Sequence, residues 1–166
     1  MRLIDKVMRR HLSHSIIGIF IVVLATTAFS SCNNENCFGN STGIPLAGFY
    51  YDDNALVIPN LTVHGIGAPN DSAIIRNTSA SQVYLPLSIT KSSCSYVLDY
   101  NTEDVKNDTI TLYYTAIPYF ESHECGAMYN FLISSWEYTQ NDIDSISITN
   151  PMITNADVVS IKIYMQ

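Results

Sequence analysis

From residue 44 onward, apolar and polar positions alternate in short bursts, and no stretch keeps a helical period for three turns. Side chains of an extended chain point alternately to opposite faces. Ala127, Tyr129, Phe131 and Ile133 therefore share a face, as do Ile146 and Ile148, and Val159, Ile161 and Ile163. The pattern predicts strands over 44–51, 61–66, 73–76, 83–88, 96–100, 109–117, 127–134, 143–149 and 158–165. Pro86 cannot donate to a ladder, so 83–88 reads as an edge or bulged strand. Val, Ile, Thr and Tyr fill these runs, and turn residues separate them. Seven to nine short strands with polar connections predict an all-β fold, an antiparallel β-sandwich of Ig-like general architecture.

The first 31 residues have a different pattern. Arg2, Lys6, Arg9 and Arg10 form a basic start, an apolar run covers 16–25, and small and polar residues lead to Phe29-Ser30-Ser31-Cys32. That order is a secretory signal. A membrane-spanning helix needs about 20 apolar residues, and Thr26-Thr27 interrupts this run first. The segment before Cys32 resembles a bacterial lipobox, with Phe29 and Ser31 departing from the usual Leu and Gly or Ala. The expected organisation is a lipoprotein signal peptide over 1–31, a lipid-bearing tether over 32–43 and one domain over 44–166. Lipidation of Cys32 would hold the protein on the bacterial envelope, at the outer membrane, facing either the periplasm or the outside.

This division changes what the charge means. The whole chain carries −7, but four of the eight basic residues and one of the fifteen acids precede Cys32, so the remainder carries −10. That balance argues against a nucleic-acid partner. An anionic lipid surface would repel the domain, so lipid and not charge must hold it at the membrane.

Several segments together carry a family resemblance. They are Cys37, Gly43-Ile44-Pro45-Leu46 with Phe49-Tyr50, Leu61-Thr62-Val63-His64-Gly65-Ile66-Gly67, Leu85-Pro86-Leu87, Asp108-Thr109-Ile110-Thr111-Leu112-Tyr113-Tyr114, and Glu124-Cys125-Gly126 followed by Phe131. In order and spacing they resemble a group of small envelope lipoproteins of Bacteroides-type bacteria, defined as a domain of unknown function. The resemblance implies a β-rich envelope lipoprotein and no particular activity. Cys94 lies outside its pattern.

With Cys32 acylated, Cys37, Cys94 and Cys125 remain in an oxidising compartment, which leaves one bridge, one thiol and three pairings. The resemblance favours Cys37–Cys125, with Cys94–Cys125 the alternative. A bridge at Cys37 would keep the domain close to the bilayer, because five extended residues span at most about 18 Å.

Motifs for chemistry are sparse. Glu121-Ser122-His123-Glu124-Cys125 holds possible zinc ligands, but too few others stand at ligand spacing, so no metal and no cofactor is expected. Asp52-Asp53-Asn54 and Asn141-Asp142-Ile143-Asp144 lack the pattern of a calcium loop and read as ordinary turns. No nucleophile elbow or phosphate loop is present. Asp71-Ser72, Asp108-Thr109 and Asp144-Ser145 resemble the O-glycosylation acceptor motif of Bacteroides-type bacteria, which makes Ser72, Thr109 and Ser145 candidate acceptors. The alternative is that each Asp closes a turn and opens a strand.

The expected function is a non-catalytic interaction or structural module. Its partner would be an unknown envelope protein or a glycan, and Tyr50, Tyr51, Tyr113 and Tyr114 grouped in one patch would favour such a surface. The competing class is a hydrolase, which two close, buried carboxylates in a cleft would favour.

Overall fold

The computed structural model describes residues 42–69, 72–120 and 126–166. Eleven strands run through them: β1 (Leu46–Tyr51), β2 (Asn54–Ala55), β3 (Ile58–Gly65), β4 (Ala73–Ala80), β5 (Gln82–Tyr84), β6 (Ser93–Asp99), β7 (Asp108–Tyr119), β8 (Met128–Tyr138), β9 (Ile143–Ile148), β10 (Met152–Ile153) and β11 (Val159–Met165). No α-helix occurs among the described residues.

The strands form two sheets. The first runs β2-β1-β11-β9, with β5 also paired to β1, and the second runs β10-β8-β7-β6-β3-β4. This is the expected β-sandwich. Its pairs are antiparallel except one: β1 and β11 run parallel, with Phe49 opposite Ile163. Strands that precede and follow everything else can lie parallel because the rest of the chain is their crossover.

The count exceeds nine because β2 and β10 are two-residue pairings. Two residues are too few to show alternation. β5 stops at Tyr84, two residues before Pro86. Leu85 still donates to the carbonyl of Pro45 at 2.9 Å before the chain leaves for the second sheet.

The core fills the space between the sheets. Phe49, Ile161, Ile163 and Ile143 from the first sheet meet Leu61, Val63, Leu98, Ile110, Leu112 and Phe131 from the second, and all are fully buried. Alternation holds along β7, where Ile110, Leu112 and Tyr114 point inward. It fails in β9, where Ile143 and Ile146 are both buried although three positions apart. A bulge accounts for this, since Tyr164 faces Ser145 but Met165 faces Ile143, leaving Asp144 as the extra residue. A second bulge puts Ser134 of β8 opposite the Tyr113/Tyr114 step. Ala127 is exposed and does not share the buried face of Phe131 and Ile133.

Asn101, at the turn after β6, has φ 51°. Asparagine tolerates this left-handed conformation better than most residues. Its amide nitrogen also donates to the Asn60 carbonyl at 2.5 Å and to Thr62 Oγ1 at 2.9 Å, tying the turn to β3.

Candidate binding cleft

Among the described residues, a cleft of about 590 Å³ opens at one end of the sandwich. One wall is the β3–β4 connection, including Gly65, Ile66 and Ala68. The opposite wall is the β5–β6 connection, with Pro86, Leu87 and Lys91, and Cys94 and Tyr96 of β6 lie between. Among the described residues, Lys91 is the one charged side chain lining it. Two stretches, 65–74 and 86–96, build this cleft, so no single stretch announced it.

Hydrogen bonds fix its base. Tyr96 donates its hydroxyl to the Pro86 carbonyl at 2.5 Å. The Tyr114 hydroxyl accepts from the Ser88 N–H and donates to the Ser88 carbonyl, both at 2.9 Å. It also lies 3.2 Å from the Cys94 thiol. Its ring packs edge-on against Phe131, with centroids 5.4 Å apart. Burial, reinforced by the Cys94 thiol, pushes both tyrosine hydroxyls well above the ordinary tyrosine value. They stay protonated near neutrality and serve as fixed hydrogen-bonding groups, not as bases.

Among the described residues, the one fully buried carboxylate lies toward the opposite end of the strands. Asp108, at the start of β7, has no exposed surface. Its Oδ1 accepts from Thr139 Oγ1 at 2.6 Å and from the Asn141 N–H at 3.0 Å. Its Oδ2 accepts from the Tyr100 hydroxyl at 3.0 Å and from the N–H groups of Asp142 and Ile143 at 2.8 and 3.1 Å. Burial alone raises a carboxyl's pKa, but the bonds from Thr139, Asn141, Asp142 and Tyr100 outweigh it and hold Asp108 below the usual carboxylate range. Asp142 is pushed upward by burial and by the neighbouring Asp108 carboxylate. Two acids thus come together, but five donors occupy the buried one. The arrangement clamps the β8–β9 turn and leaves Asp108 little capacity to act on a substrate.

The other candidate residues are dispersed. Cys32, Cys37 and Cys125 lie outside the described residues, as does the whole 121–125 cluster. Cys94 is a free, half-buried thiol. Among the described residues no three potential metal ligands gather. Ser72 is exposed, with Asp71 outside the described residues. Thr109 is half-buried in β7, and the buried Asp108 before it opens that strand, the structural role its motif also admits. Ser145 is half-buried in β9 beside the exposed Asp144 bulge.

The four tyrosines do not form one patch. Tyr114 is buried in the core. Tyr113 lies on the outer face of the second sheet, donating to Glu137 Oε2 at 3.2 Å. Tyr50 belongs to the first sheet, 5.9 Å from Tyr164 and under the Lys162 ammonium at 5.0 Å. Tyr51 is exposed at the end of β1. Inward and outward positions alternate along a strand, so Tyr113 and Tyr114 had to part.

No significant match exists among the curated proteins or among the solved structures. A family model described as "Family of unknown function (DUF6452)" matches residues 60–165, from β3 to the last strand. The chain, a two-sheet β-sandwich with a cleft at one end, therefore belongs to the family of unknown function DUF6452.

Proposed function

We propose that the protein is an envelope lipoprotein of Bacteroides-type bacteria, exported by residues 1–31 and anchored through Cys32. Its sandwich serves as a non-catalytic binding module. The cleft between the β3–β4 and β5–β6 connections carries this reading. Binding sites are typically concave, largely apolar and supplied with a few placed polar groups. Here Ile66, Ala68, Pro86 and Leu87 supply apolar wall, Lys91 supplies one positive charge, and the tyrosine hydroxyls already have partners. These features suit a small, mainly apolar ligand or side chain with an anionic group within reach of Lys91. The use of Asp108 as a structural clamp favours binding over a carboxylate-pair hydrolase.

Native mass spectrometry of protein purified from its own envelope tests this. The expected result is a diacylglyceryl modification on Cys32 and a ligand that is lost when Ala68→Trp fills the cleft. An unmodified Cys32 overturns the anchoring. An empty wild-type cleft overturns the binding role.

A further inference from the structure

We infer that the cleft end of the sandwich is a membrane-facing surface, resting on the lipid bilayer in which Cys32 is held. The inference rests on the proposed anchoring. Where the described chain begins is the first observation. Gly43, next to the first described residue, donates its N–H to the Tyr129 carbonyl at 2.8 Å. Tyr129 faces Pro118, one pair before the Tyr119/Met128 end of β7 and β8. The Tyr119/Met128 end of that pair, the end of β3 at Gly65 and the start of β6 at Ser93 all lie at the same end of the strands. Ten peptide steps separate Cys32 from Thr42, a reach of at most about 36 Å. The anchored chain therefore meets the domain at its cleft end.

The distribution of exposed apolar side chains is the second observation. Ile66 beside the cleft, Ile89 on the β5–β6 connection and Phe120 after β7 are 56%, 49% and 73% exposed. Ile44 and Val158, just before β1 and β11, are exposed at the same end. Aromatic and aliphatic side chains so placed enter the boundary between headgroups and acyl chains readily. Repeated on several loops of one end, they are more than scattered surface residues.

Charge supplies the third. Seven acids, Asp52 and Asp53 after β1, Asp99, Glu103 and Asp104 around the β6–β7 connection, and Asp142 and Asp144 at the start of β9, occupy the opposite end, with Lys106 the one cation described among them. An anionic bilayer would repel that end. At the cleft end Lys91 is positive, and Asp157 is bonded to the Tyr84 hydroxyl at 2.5 Å. Asp71, between β3 and β4 in sequence, and Glu121 and Glu124, between β7 and β8, lie outside the described residues.

The test uses the full lipidated protein in dioleoylphosphatidylcholine vesicles, with and without dibrominated acyl chains. In a Trp136→Phe background, single tryptophans replace Ile66, Ile89, Phe120 or, at the far end, Tyr51. Brominated chains are expected to quench tryptophan at 66, 89 and 120 at least twofold, and to leave tryptophan at 51 unchanged. Lipidated protein showing no quenching, or equal quenching at position 51, overturns the orientation alone. Protein with no lipid on Cys32 overturns the anchoring, and the orientation with it.

Discussion

Tyr100 donates its hydroxyl to the carboxylate of Asp108 at 3.0 Å, inside the fold and between the end of β6 and the start of β7. The same carboxylate accepts three backbone N–H groups from residues 141–143. Asp108→Asn puts an amide nitrogen against those donors and is expected to cost about 3 kcal/mol or more. Urea unfolding at neutral pH measures this. Tyr100→Phe removes one donor to a charged acceptor and is expected to cost about 2 kcal/mol.

The clamp also sets the response to acid. Asp108 titrates lower in the folded chain than in the unfolded one. Its contribution is therefore present above the unfolded aspartate pKa, about 3.9, and is lost as pH falls through the folded value. Wild-type stability is expected to drop steeply below about pH 4, and Asp108→Asn to flatten that part of the curve. Chemical unfolding at a series of acid pH values shows the difference as a change of slope.

Asp142 works in the opposite sense. Its folded pKa is raised, so its contribution is present at low pH and is lost as pH rises through that value. Asp142→Asn removes a charge facing Asp108 while keeping the backbone donor. A small rise in the neutral-pH melting temperature is expected, and none near pH 3.

Tyr114 joins the β5–β6 connection to the core through Ser88 and Cys94. Tyr114→Phe keeps the ring against Phe131 and is expected to cost about 1–2 kcal/mol. Loss of that link should also let the half-buried Cys94 thiol react faster with a disulfide reagent. An unchanged thiol rate in the variant would show that Tyr114 does not hold the cleft wall.

Gly43 has no room for a side chain. A Cβ there would stand 2.9 Å from the carbonyl oxygens of Ile153 and Thr154, and both are backbone atoms with little freedom to move. Gly43→Ala is expected to destabilise by about 1–3 kcal/mol, read as a lower thermal midpoint.

Much of the sandwich was legible because strand formation leaves local marks. Ile110, Leu112 and Tyr114 alternate with polar neighbours, and β7 formed where they do. The marks failed where the backbone departs from period two. The Asp144 bulge brings Ile143 inside together with Ile146, and β2 and β10 are too short to alternate. The segment 83–88 was read as one strand, but beyond Tyr84 it crosses between sheets and becomes a cleft wall.

Sequence alone determined the all-β class and the polar turns, because each rests on neighbours a few positions apart. The family-like segments likewise pointed to a family of unknown function. Only the tertiary structure decided that β1 lies parallel to β11, that Asp108 is consumed by a turn more than 30 residues away, and that Ile66, Lys91 and Tyr96 share one cleft. Those relationships depend on which strands become neighbours, a choice made by packing both sheets at once. Burial then gave the residues their roles: in the sequence Asp108 stands in a possible acceptor motif or at the end of a turn, and in the fold it is a clamp, with water excluded and five donors in its place.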